Sequence, residues 1–392
     1  IKTTTTQCKN RLVAVKVNCF PETFYLSLLL FHVNPKLKYI NQIALPGRLF
    51  FGPEWLVLGV NNTCNLHCKM CDVGVDYKDS NFFQNLVGTK PLHMPLELFK
   101  TIADQAAENY PETKLGFAFT EPLVYSHLYE SLKYASEKKL FTSVTTNALS
   151  LRKWADKLVD AQLKEINVSL DGPADVHNEI RGYTKSFEKA IEGIDYLLGL
   201  KNAPSVSVFC VITQWNIGRL KEFTDYFRKY PLKEIGFMHT NYTPGSVAAA
   251  HNAKFGNLYH ATASNMQDID LSKYNLELLQ SEIQTIRKEN YRYKVTFSPE
   301  LHSQNELHGF YHEPGKFFGK KCFDIFRAVM IKSNGDVIPA HGRCYNLTIG
   351  NLYEQSLPEI WNSKIIAKFR TDVNNAGGLL PACSRCCSAF SG

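Results

Sequence analysis

The sequence has no apolar run long enough to cross a membrane, no block of like charge, no low-complexity tract and no internal repeat. Its longest apolar run, FYLSLLLFHV at 24–33, lies between Pro21 and Pro35 and is only ten residues long. A spanning helix needs about twenty. The run therefore reads as a buried or interface helix, with a membrane-surface patch as the alternative. No basic segment, apolar core and cleavage site follow one another as in a secretory signal. Lys and Arg number 44 against 37 Asp and Glu, a net charge of +7. These charges are dispersed, so no nucleic-acid partner is expected. An even, chain-wide disulfide framework is also missing. There are eleven cysteines, six of them in two tight groups at 64/68/71 and 383/386/387. Clustered thiols in a chain of 392 residues point to metal binding in a reducing compartment, the cytoplasm, rather than to a secreted scaffold.

Between residues 52 and 240 the pattern is regular. Short apolar runs at 54–62, 114–122, 141–148, 165–172, 205–213 and 233–240 alternate with helical spacing at 96–110, 128–140, 151–163, 186–200 and 217–230. Six strands alternating with five helices predict an α/β fold with a parallel sheet and helices outside it. Ligands of such sheets bind at the carboxyl ends of the strands. The distinctive residues fall there: the first cysteines after strand 1, Glu121 after strand 2, Asn147 after strand 3 and Asp171 after strand 4. Residues 243–265 read as a Gly/Ala-rich loop and 275–290 as a helix. A hairpin follows at 328–340 with its turn at Asn334-Gly335, then a helix at 356–370 and a cysteine-rich tail. The division expected is an N-terminal extension (1–52), a β/α core (53–240), a connecting and substrate-loop region (241–320) and a small cysteine-rich α+β domain (321–392).

The stretch NNTCNLHCKMCDVG spaces Cys64, Cys68 and Cys71 as C-x3-C-x2-C, with no fourth Cys or His at a matching distance. Structural zinc uses two matched pairs of ligands, and a thioredoxin-like loop needs two cysteines only. Three thiolates on a [4Fe–4S] cluster leave one iron open to a small molecule.

This arrangement resembles radical S-adenosylmethionine (SAM) enzymes, in which C-x3-C-x2-C follows the first strand of a partial (β/α)6 barrel. The resemblance implies that the open iron holds SAM and that one electron cleaves it to a 5′-deoxyadenosyl radical. That radical takes a hydrogen atom from the substrate. The cofactor supplies the hard chemistry and the protein the geometry. Carried over residue by residue, Met70 takes the place of an aromatic residue whose backbone meets the adenine. Phe119-Thr120-Glu121-Pro122 replaces Gly-Gly-Glu-Pro, keeping Glu121 for the SAM ammonium. Ser169 and Asp171 in NVSLDG stand as SAM carboxylate or ribose contacts, and Thr146, Asn147 and Arg181 also fit family patterns. Read without the family, Glu121 is a helix-start charge, Ser169 and Asp171 are turn residues, and the other three are structural.

The C-terminal pattern of Cys322, Gly335, Cys344, IGN, Trp361, Cys383-x2-Cys386 and Cys387 resembles the SPASM/Twitch extension of the same superfamily. Five cysteines support one auxiliary [4Fe–4S] cluster, for electron transfer or support. The resemblance implies Cys322, Cys344, Cys383 and Cys386 as ligands, with Cys387 as a substitute for Cys386. His341 as a ligand, and zinc in place of the cluster, are the alternatives. Two clusters and SAM are thus the expected cofactors, and a flavodoxin- or ferredoxin-type reductant the expected partner. The substrate reads as a small sugar-, cyclitol- or lipid-like molecule, with a ribosomal peptide or protein side chain as the alternative. Outside the enzyme class stand an electron carrier and a zinc scaffold. His239 and Tyr242 are candidate substrate contacts, and Cys210 reads as buried apolar filler.

Overall fold

The computed structural model describes residues 34–390. The apolar stretch 24–33, Cys8 and Cys19 lie outside the described residues. Strands form where β-branched and aromatic residues run between turn formers: β1 Trp55–Gly59, β2 Lys114–Phe117, β3 Phe141–Thr146, β4 Glu165–Ser169, β5 Ser205–Ile212, β6 Glu234–His239 and β7 Lys294–Ser298. All seven pair in parallel and in chain order. β7 adds a seventh strand to the six read from sequence. Its alternation is weak because it is an edge strand, largely exposed at both ends.

The chain returns to the opposite edge of the sheet. β8, Ala328–Lys332, pairs in parallel with β1 from Trp55↔Ala328 to Gly59↔Lys332. β9, Asp336–Pro339, folds back on β8 across the Asn334-Gly335 turn, where Gly335 holds φ +83°. β10, Gly350–Asn351, pairs with β9 and completes a ten-stranded sheet in the order β10-β9-β8-β1-β2-β3-β4-β5-β6-β7. β1 therefore has strands on both sides, and its Leu56 and Leu58 are fully buried. The result is an α/β fold with a parallel barrel-like sheet and a C-terminal cysteine-rich region.

Helices at Leu96–Asn109, Leu128–Glu137, Leu151–Asp160 and Ser186–Leu198 fall where the apolar spacing placed them. Two expectations are corrected. The Gly/Ala-rich stretch read as a loop contains a helix at Gly245–Phe255, because Ala248, Ala249 and Ala250 favour helix once Pro244 has started it. The helix read over 356–370 is two, Leu357–Trp361 and Lys364–Asn375. It breaks at Asn362, whose side chain exchanges hydrogen bonds with the N–H and carbonyl of Leu49, while the Ser363 hydroxyl bonds Ile349 O. Among the described residues no helix is long and apolar enough to cross a membrane.

Candidate radical and auxiliary cluster sites

The cysteine loop after β1 is held from three sides. Lys69 N donates to Ile180 O at 3.0 Å. Asp72, fully buried, accepts from Ser264 Oγ at 2.6 Å and Asn265 N at 2.7 Å, which ties the loop to the 241–265 segment. Gly74 packs so closely on the Cys68 backbone that a Cβ would lie 2.4 Å from Cys68 O. Only glycine fits there. Cys64, Cys68 and Cys71 thereby face a cavity of about 380 Å³ at the carboxyl ends of the strands. Burial pushes the Cys68 thiol up to about 12 and raises Cys64 as well. Three thiols on one wall, Cys68 buried and Cys64 and Cys71 half-buried, are a donor set that a metal centre completes.

The loop after β2 keeps the path glycines would give it. Phe119 and Thr120 both sit at positive φ, +63° and +43°, a costly conformation for non-glycine residues. Thr120 Oγ1 donates to Asn61 Oδ1 at 2.7 Å, and Phe119 packs edge-on to Phe82 and against His341, with ring centroids 6.1 and 6.0 Å away. Glu121 is almost fully buried. Its carboxylate accepts from Thr146 Oγ1 at 2.6 Å, Asn147 N at 2.7 Å and Leu123 N at 3.0 Å. Burial raises its pKa and these donors oppose the rise. Glu121 thus braces the end of β3 and does not itself line the cavity, whereas Thr120, Thr146 and Asn147 do.

Met70, Ser169 and Arg181 also line this cavity; Asp171 does not. Asp171 is fully buried behind Arg181, accepting from Arg181 Nε at 2.6 Å and Val211 N at 3.0 Å. Arg181 Nη1 in turn lies 3.6 Å from Cys68 Sγ. Burial alone would lower the Arg181 pKa, but Asp171 and Cys68 reverse the shift and hold the guanidinium charged. Asp171 is placed to orient Arg181 rather than to reach a ligand.

The second cysteine set forms a separate site. Cys322, Cys344, Cys383 and Cys386 line one cavity of about 70 Å³. Burial and the neighbouring thiols raise Cys322, Cys344 and Cys383, the last to about 11. Four thiols that each oppose the others' ionisation are stabilised when a metal centre takes up their charge. Cys387, next in the chain to Cys386, lines the larger cavity instead. Its Sγ is 3.4 Å from His341 Nε2, and the ligand atoms of His341, Cys386 and Cys387 all lie within 4.8 Å of one another. His341 Nε2 is also 2.7 Å from Ser388 Oγ. The loop bearing His341 and Cys344 is pinned by buried Asn85, whose amide donates to Gly342 O at 3.0 Å and Cys344 O at 2.8 Å. No local signal in the sequence marks Asn85, because its partners are more than 250 positions away.

Of the two candidate substrate residues, neither lines the larger cavity. His239 is almost fully buried, with Nδ1 2.7 Å from Tyr311 Oη, and burial lowers its pKa to about 3. Tyr242 is buried on the wall of the smaller cavity, its hydroxyl donating to Phe310 O at 2.7 Å. Cys210 is fully buried on β5, as expected of filler.

Sequence comparison agrees with this geometry. The profile of the radical SAM superfamily matches residues 59–227, and that of the SPASM iron–sulfur cluster-binding domain matches 322–387. Among curated relatives, a probable GTP 3′,8-cyclase of Methanococcus aeolicus is 28% identical over 184 residues, 44% of this chain and 55% of that protein. An AdoMet-dependent heme synthase of Oleidesulfovibrio alaskensis is 29% identical over 143 residues, 35% of this chain and 33% of that protein. The chain spans about half or less of the length of these relatives. Among solved structures, Streptococcus suis SuiB bound to S-adenosylmethionine superposes with a TM-score of 0.59 at 18% identity, over 94% of this chain and 79% of that one. Native anSMEcpe with bound AdoMet gives 0.54 at 17%, over 80% and 82%. These two show the shared fold. The cofactors the two domains imply are [4Fe–4S] clusters and SAM, and the two thiol sets fit them. With its three-thiol cavity at the sheet's carboxyl rim and its separate four-thiol site, the chain belongs to the radical SAM superfamily and carries a SPASM iron–sulfur domain.

Proposed function

We propose that this protein is a radical SAM enzyme that abstracts a hydrogen atom from an organic substrate in the 380 Å³ cavity. The observation carrying this reading is the convergence of Cys64, Cys68 and Cys71 with Met70, Thr120, Thr146, Asn147, Ser169 and Arg181 on that one cavity. When bound, a three-thiolate [4Fe–4S] cluster supplies the electron that cleaves SAM to the 5′-deoxyadenosyl radical. The chain's own part is to orient and shield. Asn147 and Thr146, held by Glu121, present polar groups to SAM. Arg181, held by Asp171, presents positive charge beside Cys68. The apolar walls formed by Val73, Phe82, Leu86 and Met238 exclude water from the radical.

We assign Cys322, Cys344, Cys383 and Cys386 to an auxiliary cluster that accepts or relays an electron, and residues 53–240 and 321–392 to the two working domains. A small molecule is our first reading of the substrate. A peptide is the second, favoured by the fold shared with SuiB, a protein also solved with its precursor peptide. A flavodoxin or ferredoxin of the cytoplasm fits as reductant.

Anaerobic reconstitution tests the reading. The reconstituted chain is expected to hold about eight irons, two clusters of four. Dithionite and SAM are expected to yield 5′-deoxyadenosine, and Cys68→Ala to abolish it. Zinc in place of iron, or two intact clusters with no 5′-deoxyadenosine, would sink it.

A further inference from the structure

We infer that Arg343 is the anchor for a carboxylate group of the substrate, a reading that rests on the larger cavity being the reaction chamber. Arg343 lies between the two sites and lines both cavities. Its guanidinium carbon sits 4.2 Å from the centroid of Phe82, stacked on the ring. Among the described residues its side chain has no hydrogen bond and no ion pair, although the residue is partly buried. A half-buried guanidinium whose N–H donors meet no protein acceptor is a site an anion can complete. Stacking on Phe82 removes rotamer freedom before any ligand arrives, so the donors are pre-aimed.

The position is built rather than incidental. Arg343 N donates to His341 Nδ1 at 3.2 Å, and Asn85 holds the carbonyls on either side of it, those of Gly342 and Cys344. A Cβ on Gly342 would meet Leu86 at 2.7 Å, so helix Asn81–Leu86, which carries both Phe82 and Leu86, locks the loop against the chamber.

The charge pattern narrows the ligand. Among the described residues no Asp or Glu lines the larger cavity, and its only other Arg or Lys is Arg181, already paired with Asp171. One unspent positive charge with a planar donor fork matches a carboxylate, which is planar and singly charged. A phosphate dianion calls for a second cation that the walls do not supply. Around the Phe82 ring on which Arg343 stacks, Val73, Leu86 and Phe119 form an apolar patch of the wall, with the polar lining of Asn241, Asn265 and Thr240 elsewhere in the same cavity. The substrate class is therefore an organic acid, or a peptide presenting an acidic side chain or its C-terminus, with an apolar body next to the carboxylate.

The test uses the cluster-loaded full chain, anaerobically and with SAM bound. Phenylglyoxal is the probe, since it condenses with unpaired guanidinium groups, and labelled sites are mapped by mass spectrometry. Arg343 is expected to be labelled and Arg181 spared. Succinate is expected to slow labelling of Arg343 by about tenfold, the worth of one charge-assisted contact of about 1.4 kcal/mol. Its uncharged diamide is expected to have no effect. Arg343→Gln is expected to retain iron content and the auxiliary cluster's EPR signal while losing the succinate-sensitive label. The inference is overturned if SAM alone shields Arg343, if succinate and the diamide act alike, or if Arg343 resists the reagent throughout. None of these readouts needs SAM cleavage, so a chain that labels as expected but makes no 5′-deoxyadenosine would fail the proposed function alone.

Discussion

Ser169 and Asp171 stand two residues apart at the end of β4, yet their side chains do different work. Ser169 lines the cavity, while Asp171 is sealed behind Arg181. Removing the Asp171 charge leaves Arg181 buried without its counterion, a loss of about 3–5 kcal/mol. Asp171→Asn is expected to lower the urea stability of the cluster-free protein by that order, and Ser169→Ala to leave it within about 0.5 kcal/mol. Equal losses in the two variants would contradict the division. His239 gives a second residue-level prediction. Its pKa falls to about 3 in the fold because burial disfavours the imidazolium, and among the described residues its Nε2 has no hydrogen-bond partner. A histidine whose folded pKa is depressed gives stability that is present above its unfolded pKa of about 6.5 and lost as pH falls below it. The stability advantage of wild type over His239→Gln is expected to shrink by about 1.4 kcal/mol between pH 7.5 and 5.5, followed by urea titration. The residue types at these sites were legible in the motifs. Which way each side chain points was not, because direction depends on Tyr311, Arg181 and Val211, all set by tertiary packing.

Six parallel strands, the C-terminal hairpin and most helices followed from local pattern, since period-2 and 3.6-residue spacing are properties of neighbouring residues. What escaped were contacts with no local signature. The pairing of β8 on β1 joins positions 55 and 328, and the break at Asn362 answers to Leu49. The cysteine spacing announced both sites, while the helix that supports the second one was silent. That helix, Asn81–Leu86, holds the loop of the auxiliary site through Asn85, which donates to Gly342 O and Cys344 O, and at its exposed end through Gln84, which accepts from Asn346 Nδ2 at 3.3 Å. Asn85→Ala leaves the buried Gly342 carbonyl and the half-buried Cys344 carbonyl without that donor, at about 1–3 kcal/mol for the buried one. The loop bearing Cys344 loosens as a result. We expect this variant to assemble the first cluster normally and to hold the auxiliary one poorly. Iron would fall from about eight toward about four per chain after gel filtration, with SAM cleavage retained. Full iron retention would show that the thiols hold the loop without Asn85.

At the scale of the whole molecule the two cysteine regions share one sheet. Sequence comparison divides the chain into a radical SAM segment and an iron–sulfur segment, but the hydrogen bonding does not stop at that division. β8 completes β1, and Trp361 Nε1 donates to Phe51 O at 2.7 Å from the far side of the C-terminal region. Arg370, fully buried and stacked 4.2 Å from the Trp361 ring, bonds Ile325 O and Trp361 O, fastening the last long helix to the turn before β8. If the C-terminal region were a detachable module, a chain ending at residue 320 would fold and cleave SAM. The sheet argues otherwise. Loss of β8 bares the backbone edge of β1, whose Leu56 and Leu58 are fully buried in the intact protein, and an unpaired apolar edge is a template for aggregation. The truncated chain is therefore expected to be insoluble or to elute in the void volume on gel filtration. Mutating Cys322, Cys344, Cys383 and Cys386 together in the full chain, which empties the auxiliary site but keeps β8, is expected to leave a soluble protein with the circular dichroism of an α/β fold. A monodisperse, SAM-cleaving fragment 34–320 would refute this. Recovery of solubility with this four-cysteine variant of the full chain would locate the requirement in the strand rather than in the cluster.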